Sequence, residues 1–183
     1  MGYQDHKSQA GQRSVACAVI TCSDTRTIEE DVSGQLIRRL LESHGHTPPV
    51  YAISKDDPAQ ITSLLASLAP RTDIQAIILN GGTGVSRRDN TFDAVSNALT
   101  KTLPGFGELF RMLSYQSIGS GALLSRATAG IIVTPNPNPA VEPEGAGHHT
   151  VIFSIPGSPN AVDLAMNKLI LPELSHLVWE TIR

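Results

Sequence analysis

Short, continuous apolar runs alternate with segments of helical period along almost the whole chain, and this pattern restricts the fold more than any other feature. The runs are VACAVI at 15–20, PVYAI at 49–53, IQAIIL at 74–79, AGIIV at 129–133 and TVIFSI at 150–155. Runs of this length, apolar without alternation, are what strands look like when both sheet faces are covered. Between them, Leu36, Ile37, Leu40 and Leu41 recur at helical spacing, and Gly45 is placed to end that helix. Asp57-Pro58 reads as an N-cap followed by proline at the first helical position, with Ile61, Leu64, Leu65 and Leu68 forming the inward face. Further helices are expected over 91–101, over 108–117, behind Ser158-Pro159, and over 172–181. Pro104-Gly105 reads as a break. Strand–helix alternation predicts an α/β fold: a three-layer α/β/α sandwich around a mostly parallel sheet.

Residues 1–13 are polar and aperiodic and are expected to form a mobile tail, leaving 14–183 as one domain. Residues 135–149 are rich in proline and lack periodicity, so a loop insertion is expected there, with His148 and His149 at its surface. The 183 residues carry a formal net charge of -3, which argues against the basic surface of a nucleic-acid binder. The N-terminus has no secretory pattern, and no apolar run approaches the ~20 residues of a membrane span. Cys17 and Cys22, an odd number apart near one strand, should point to opposite faces as reduced thiols. A cytoplasmic protein is expected.

In parallel α/β sheets, ligands bind beyond the carboxyl ends of the strands. Three polar loops follow such strands: Thr21-Cys22-Ser23-Asp24, the segment from Gly81 to Asp89, and Pro156-Gly157-Ser158. The Gly81-Gly82-Thr83-Gly84 stretch is suited to positive φ and to backbone N–H groups turned on an anion, with a helix N-terminus behind it. A tight turn without a ligand would also use such glycines. Arg87 and Arg88 add donors for phosphate oxygens. Asp24 and Asp89 would repel a phosphate unless a divalent cation lay between them, and Mg²⁺ is commonly held by one or two carboxylates plus substrate phosphates. Asp56 is a third candidate, since Asp57 is taken by the cap. No Walker motif, dinucleotide fingerprint, zinc-binding helix or nucleophile elbow occurs.

Four stretches, in order, resemble the MoaB/MogA family of molybdenum-cofactor biosynthesis, and the MoaB branch in particular. They are GGTGVSRRDNTFDA from Gly81, PGFGELFR from Pro104, Ser125-Arg126-Ala127, and PGSP from Pro156. Phe92 stands where the family more often has proline. The resemblance spans about residues 14–180. It implies Mg-ATP-dependent adenylylation of molybdopterin, giving adenylylated molybdopterin and pyrophosphate, in a homotrimer or homohexamer. A downstream molybdenum-inserting enzyme is an implied partner. By the same resemblance Asp89, Asp24 and Asp56 would be catalytic, with Asp89 and Asp24 on Mg²⁺. Ser23, Gly81, Gly82, Thr83, Gly84, Arg87, Arg88, Glu108, Ser125, Arg126, Pro156, Gly157 and Ser158 would bind molybdopterin and ATP. The alternative is a non-catalytic molybdopterin-binding or scaffold oligomer of the same pathway; the retained Arg88-Asp89 pair favours the enzyme.

Overall fold

A computed structural model describes residues 13–135 and 147–182. Six strands form one sheet in the order β2-β1-β3-β6-β5-β4. These are β1 (Ala16–Cys22), β2 (Thr47–Ser54), β3 (Ala76–Asn80), β4 (Lys101–Thr102), β5 (Thr128–Pro135) and β6 (Gly147–Ile155). The β1–β2, β1–β3 and β3–β6 pairings are parallel; β5 runs antiparallel to both β6 and β4. The mostly parallel sheet is therefore as expected, with an antiparallel margin.

The helices are α1 (Val32–Ser43), α2 (Pro58–Leu68), α3 (Thr91–Ala98), α4 (Pro104–Ile118), α5 (Pro159–Ala165) and α6 (Leu171–Ile182). Alternate strand residues feed opposite cores, which is why the strands read as unbroken apolar runs. Cys17, Val19, Ala76, Ile78, Val151 and Phe153 pack with residues of α1, α4, α5 and α6. Ala18, Ile20, Cys22, Ile77, Leu79 and Ile152 pack with α2 and α3 on the other face. Cys17 and Cys22 thus lie in different cores, as their spacing predicts, and burial pushes each thiol up to about 12.

Several boundaries differ from the sequence reading. Asp57 caps α2 as expected, its Oδ1 accepting the Gln60 N–H at 2.9 Å. Pro104-Gly105, however, does not break the chain: Pro104 occupies the first turn of α4, where a missing N–H costs nothing. α3 stops at Ala98, because Leu99 turns extended and leads into β4 at the sheet edge. α5 continues into α6 through a π-turn at Met166–Ile170, in which the Leu171 N–H bonds Met166 O. Pro172 follows and has no N–H to give an ordinary helical bond.

The ends of the expected loop at 135–149 are strand instead. Pro135 pairs with Gly147, Thr134 with His148 and Val133 with His149, so these positions belong to a β5–β6 ladder. Residues 136–146 lie outside the described residues. Of the expected tail only Arg13 is described, and its carbonyl accepts from Ser175 Oγ at 2.8 Å.

The consequence for function is a common edge. Thr21 pairs with Asn80, and Asn80 with Ile155. Three parallel strands therefore stop in one row, and the loops that leave them converge.

Candidate functional site

Beyond that row lies a crevice of about 400 Å³. Its walls come from the β1–α1 loop (Cys22, Ser23, Thr25, Arg26), the β3–α3 loop (Gly81 to Gly84, Asp89), Leu124 and Ser125, and Pro156-Gly157. The loops fit because glycines stand where they touch. Gly81 has φ 103° and Gly82 φ 59°, both in the left-handed region. A Cβ on Gly81 would strike the Cys22 carbonyl oxygen, and one on Gly82 the Asp56 and Thr91 side chains. A Cβ on Gly157 would lie 2.9 Å from Gly81 Cα.

The Gly81 N–H donates to Ile155 O at 3.0 Å and so serves the sheet. The N–H groups of Gly82, Thr83 and Gly84 have no acceptor among the described residues. Unpaired backbone donors lining a concavity are an anion-binding arrangement. Asp89 also faces the crevice, with Oδ2 accepting the Ser86 N–H at 2.8 Å. Its Oδ1 has no bonded partner among the described residues.

Arg126 explains the shape of this loop. Its guanidinium donates to Thr83 O at 3.1 Å, Gly84 O at 2.6 Å and Asp89 O at 3.1 Å. It also pairs with both Asp93 oxygens at 3.0 Å and lies 4.6 Å from the centre of the Phe92 ring. A planar, multidentate donor of this kind holds a carbonyl-rich turn better than a lysine could. Arg126 is thus bound to the loop itself, and Phe92 supplies its stacking face.

The other expected residues divide clearly. Ser23, Gly81, Gly82, Thr83, Gly84, Asp89, Ser125, Pro156 and Gly157 all line the crevice. Asp56 lies behind it: Oδ1 accepts from the Asn90 N–H at 3.1 Å and Thr91 Oγ1 at 2.9 Å. Asp24 Oδ1 accepts the Asp56 N–H at 3.3 Å, so these two aspartates brace the loops and do not line the crevice. Arg87, Arg88 and Glu108 are exposed and line neither this crevice nor the second cavity described next. Among the described residues, no group of three or more His, Cys, Asp or Glu side chains is placed to hold a metal ion.

A second cavity, of about 530 Å³, adjoins the first and shares Ser125 and Pro156 with it. Phe110, Ile118, Ala161 and Leu164 give it apolar wall; Ser114, Ser117, Ser158, Asn160, Asp163, Asn167 and Lys168 give it polar groups. Ser158 also caps α5, accepting the Ala161 N–H at 3.3 Å.

Two residues that the sequence reading missed belong to the site. Arg26 is the one Lys or Arg in the crevice wall among the described residues. Asp31, fully buried, caps α1 by accepting the Gly34 N–H at 3.0 Å. It also accepts from Thr21 Oγ1 and, at 2.8 Å, from the Tyr51 hydroxyl. Burial first, and then this bond to Asp31, push the Tyr51 hydroxyl up to about 12, so it remains a donor. An aspartate just before the helical period of α1 was the available signal for the cap.

Comparison with known proteins places this geometry. The model of a family described as "Probable molybdopterin binding domain" matches residues 18–176. The chain belongs to the MoaB/MogA family. The "Molybdenum cofactor biosynthesis protein B" of Bacillus subtilis (strain 168) is 49% identical over 183 residues, covering 98% of this chain and 97% of that protein. That of Halalkalibacterium halodurans is 46% identical over 184 residues, covering 100% and 99%. A crystal structure of a molybdenum cofactor biosynthesis protein B superposes with TM-score 0.82 at 46% identity, covering 93% of this chain and 97% of that one. The tungsten cofactor synthesizing protein MoaB from Pyrococcus furiosus gives TM-score 0.78 at 33% identity, covering 93% and 99%. The role of this MoaB/MogA member therefore lies in molybdenum-cofactor biosynthesis. Among the described residues, no helix is long and apolar enough to cross a membrane.

Proposed function

We propose that this protein adenylylates molybdopterin at the expense of Mg-ATP, releasing pyrophosphate. One observation carries the reading: a crevice with free backbone donors and a carboxylate opens beside a larger cavity with an apolar wall, and the two share Ser125 and Pro156. Two phosphorylated substrates that must meet at phosphorus need such a pair of spaces, one for the phosphate chain and one for a ring system. The N–H groups of Gly82 to Gly84 hold the phosphates of ATP, and the pterin lies toward Phe110 and Leu164. Ser125 and Pro156 border both.

In this mechanism an oxygen of the molybdopterin phosphate attacks the α-phosphorus of ATP in line. A new P–O bond forms as the bond to the bridging oxygen breaks and pyrophosphate leaves. Little covalent work falls to the protein, so positioning and charge neutralisation carry the rate. Asp89 fits a Mg²⁺ ligand: one carboxylate oxygen is fixed by Ser86, and the other has no partner among the described residues. An ion held by Asp89 would supply positive charge to offset that of the phosphates. Asp24 and Asp56 act by holding the β2–α2 and β3–α3 loops, and so the geometry of the Gly82 turn.

The test is pyrophosphate release by purified protein given molybdopterin and Mg-ATP. Asp89→Asn keeps shape and removes charge; turnover should fall by about a hundredfold or more, while molybdopterin binding stays within about threefold. A wild-type protein that binds molybdopterin and releases no pyrophosphate is a binding or scaffold protein instead.

A homo-oligomer belongs to the same proposal. Leu109, Met112, Tyr115 and Ile118 form an i, i+3 row on α4, and each is about half or more exposed. Leu123 and Leu124 extend it, at 81% and 61% exposure. An apolar surface of this extent supports burial against another copy.

A further inference from the structure

We infer that Arg26 is the side chain that grips the ligand's phosphate in the crevice, and that buried Asp31 is the residue that positions it. This rests on the reading of the crevice as a phosphate site. The arginines next to the glycine turn do not fill that role. Arg87 and Arg88 are exposed outside the wall, and Arg126 has all three guanidinium nitrogens engaged by its own loop and Asp93. Arg26 differs. Its Nη1 alone contacts protein, 3.5 Å from Asp31 Oδ1 and 3.4 Å from Gly157 O. Nε and Nη2 have no protein partner among the described residues. A guanidinium is a rigid fork, so one nitrogen anchored on the wall leaves the others oriented for a phosphate.

The anchor is built from below. Asp31 is fully buried, whereas the Arg26 side chain is 37% exposed. Asn80 donates to Thr21 Oγ1 at 2.8 Å, and Thr21 donates on to Asp31 Oδ2, which the Tyr51 hydroxyl also reaches. Oδ2 is thereby fixed by two hydroxyls, and Oδ1 is left to the Gly34 N–H and to Arg26. A helix cap alone does not require a charge; serine or asparagine caps as well. A buried carboxylate is costly unless a cation faces it, and Arg26 is the cation the structure sets there. The chain that leads into Arg26 is fixed too: Ser23 Oγ accepts from the Thr25 and Arg26 N–H groups at 3.3 and 3.2 Å. Ser33 Oγ donates to the same Gly157 carbonyl at 2.8 Å.

The experiment is calorimetric titration of the full chain with inorganic pyrophosphate in the presence of Mg²⁺. Arg26→Gln should weaken binding by about tenfold or more, with Arg26→Lys between that variant and wild type. Asp31→Asn, which keeps the cap, should weaken it by about threefold or more in the parent but add nothing in the Arg26→Gln background. A structural role for Asp31 would instead give losses that multiply, and that result overturns its positioning role. Arg26 is a surface loop residue, so Arg26→Gln reports even if Asp31→Asn fails to fold. Wild-type protein that does not bind pyrophosphate, or Arg26→Gln that binds within about twofold of it, overturns the assignment of Arg26. Molybdopterin-dependent turnover is measured separately. Its absence, with Arg26-dependent pyrophosphate binding intact, removes the adenylyltransferase reading and leaves this one standing.

Discussion

At the scale of the residue, Arg126 shows how one side chain shapes a site that it does not enter. Its ion pair with Asp93 is half open to water, since Asp93 is 61% exposed, and such pairs contribute little. The bonds to Thr83, Gly84 and Asp89 carbonyls are charge-assisted and partly buried, so the weight falls on them. Arg126→Ala should lower the local opening free energy of the turn by about 2 kcal/mol, which makes amide exchange at 82–89 roughly thirtyfold faster. Hydrogen exchange followed by mass spectrometry reads this directly; unchanged exchange would show that the glycines alone hold the turn. Glycine spacing announced the turn in the sequence, because positive φ is a local demand. The duty of Arg126 was not legible there, since the carbonyls it holds lie 37 to 43 positions away in the chain. The same holds for Arg26, whose contact with Gly157 spans 131 positions.

At the scale of the element, the strands that could be read were those buried on both faces. β3 is apolar and fully buried along its sequence up to Asn80, and its run is unmistakable. β4 has two exposed residues, and the outer ends of β5 and β6 carry Pro135, His148 and His149, so no apolar pattern marks them. Pairing to a neighbour makes them strands, and pairing is not a local property. The β1–β2 end of the sheet holds a pH-sensitive contact of the same non-local kind. His46 Nδ1 accepts the Val15 N–H at 3.2 Å, in a buried position just before β2. Burial first, and His44 nearby second, lower the imidazole below its ordinary 6.5. Protonation would also replace the acceptor at Nδ1 with a donor. The unfolded chain therefore takes up a proton at a pH where the folded chain does not. Stability from this group is complete above 6.5 and declines as pH falls below it toward the folded value. Denaturant midpoints of wild type and His46→Gln between about pH 7.5 and pH 5 should converge as the pH drops. Parallel curves would mean that His46 has no part in the acid limb.

At the scale of the whole molecule, the sheet sets three loops on one edge while leaving an apolar row along α4 and the turn after it. These features meet at Leu124, which lines the crevice while 61% exposed. A second copy seated on Leu109, Met112, Tyr115 and Leu123 would thus shield the crevice from the Leu124 side, linking assembly to the site. Tyr115→Glu places a charge in the middle of the row on a side chain that is 64% exposed, so the isolated fold should tolerate it. Burying that charge in an interface would instead cost several kcal/mol, enough to shift association by about a hundredfold or more. Light scattering behind size exclusion should show the parent as an oligomer and Tyr115→Glu as a folded species of about 19.5 kDa, the mass of one chain. Circular dichroism of the variant should match the parent. If the parent itself elutes at the mass of one chain, the row seats no second copy and the link from assembly to the crevice is overturned. If the variant dissociates and its affinity for Mg-pyrophosphate falls while Arg26 and Asp31 are intact, closure of the crevice by a neighbouring copy contributes to ligand binding.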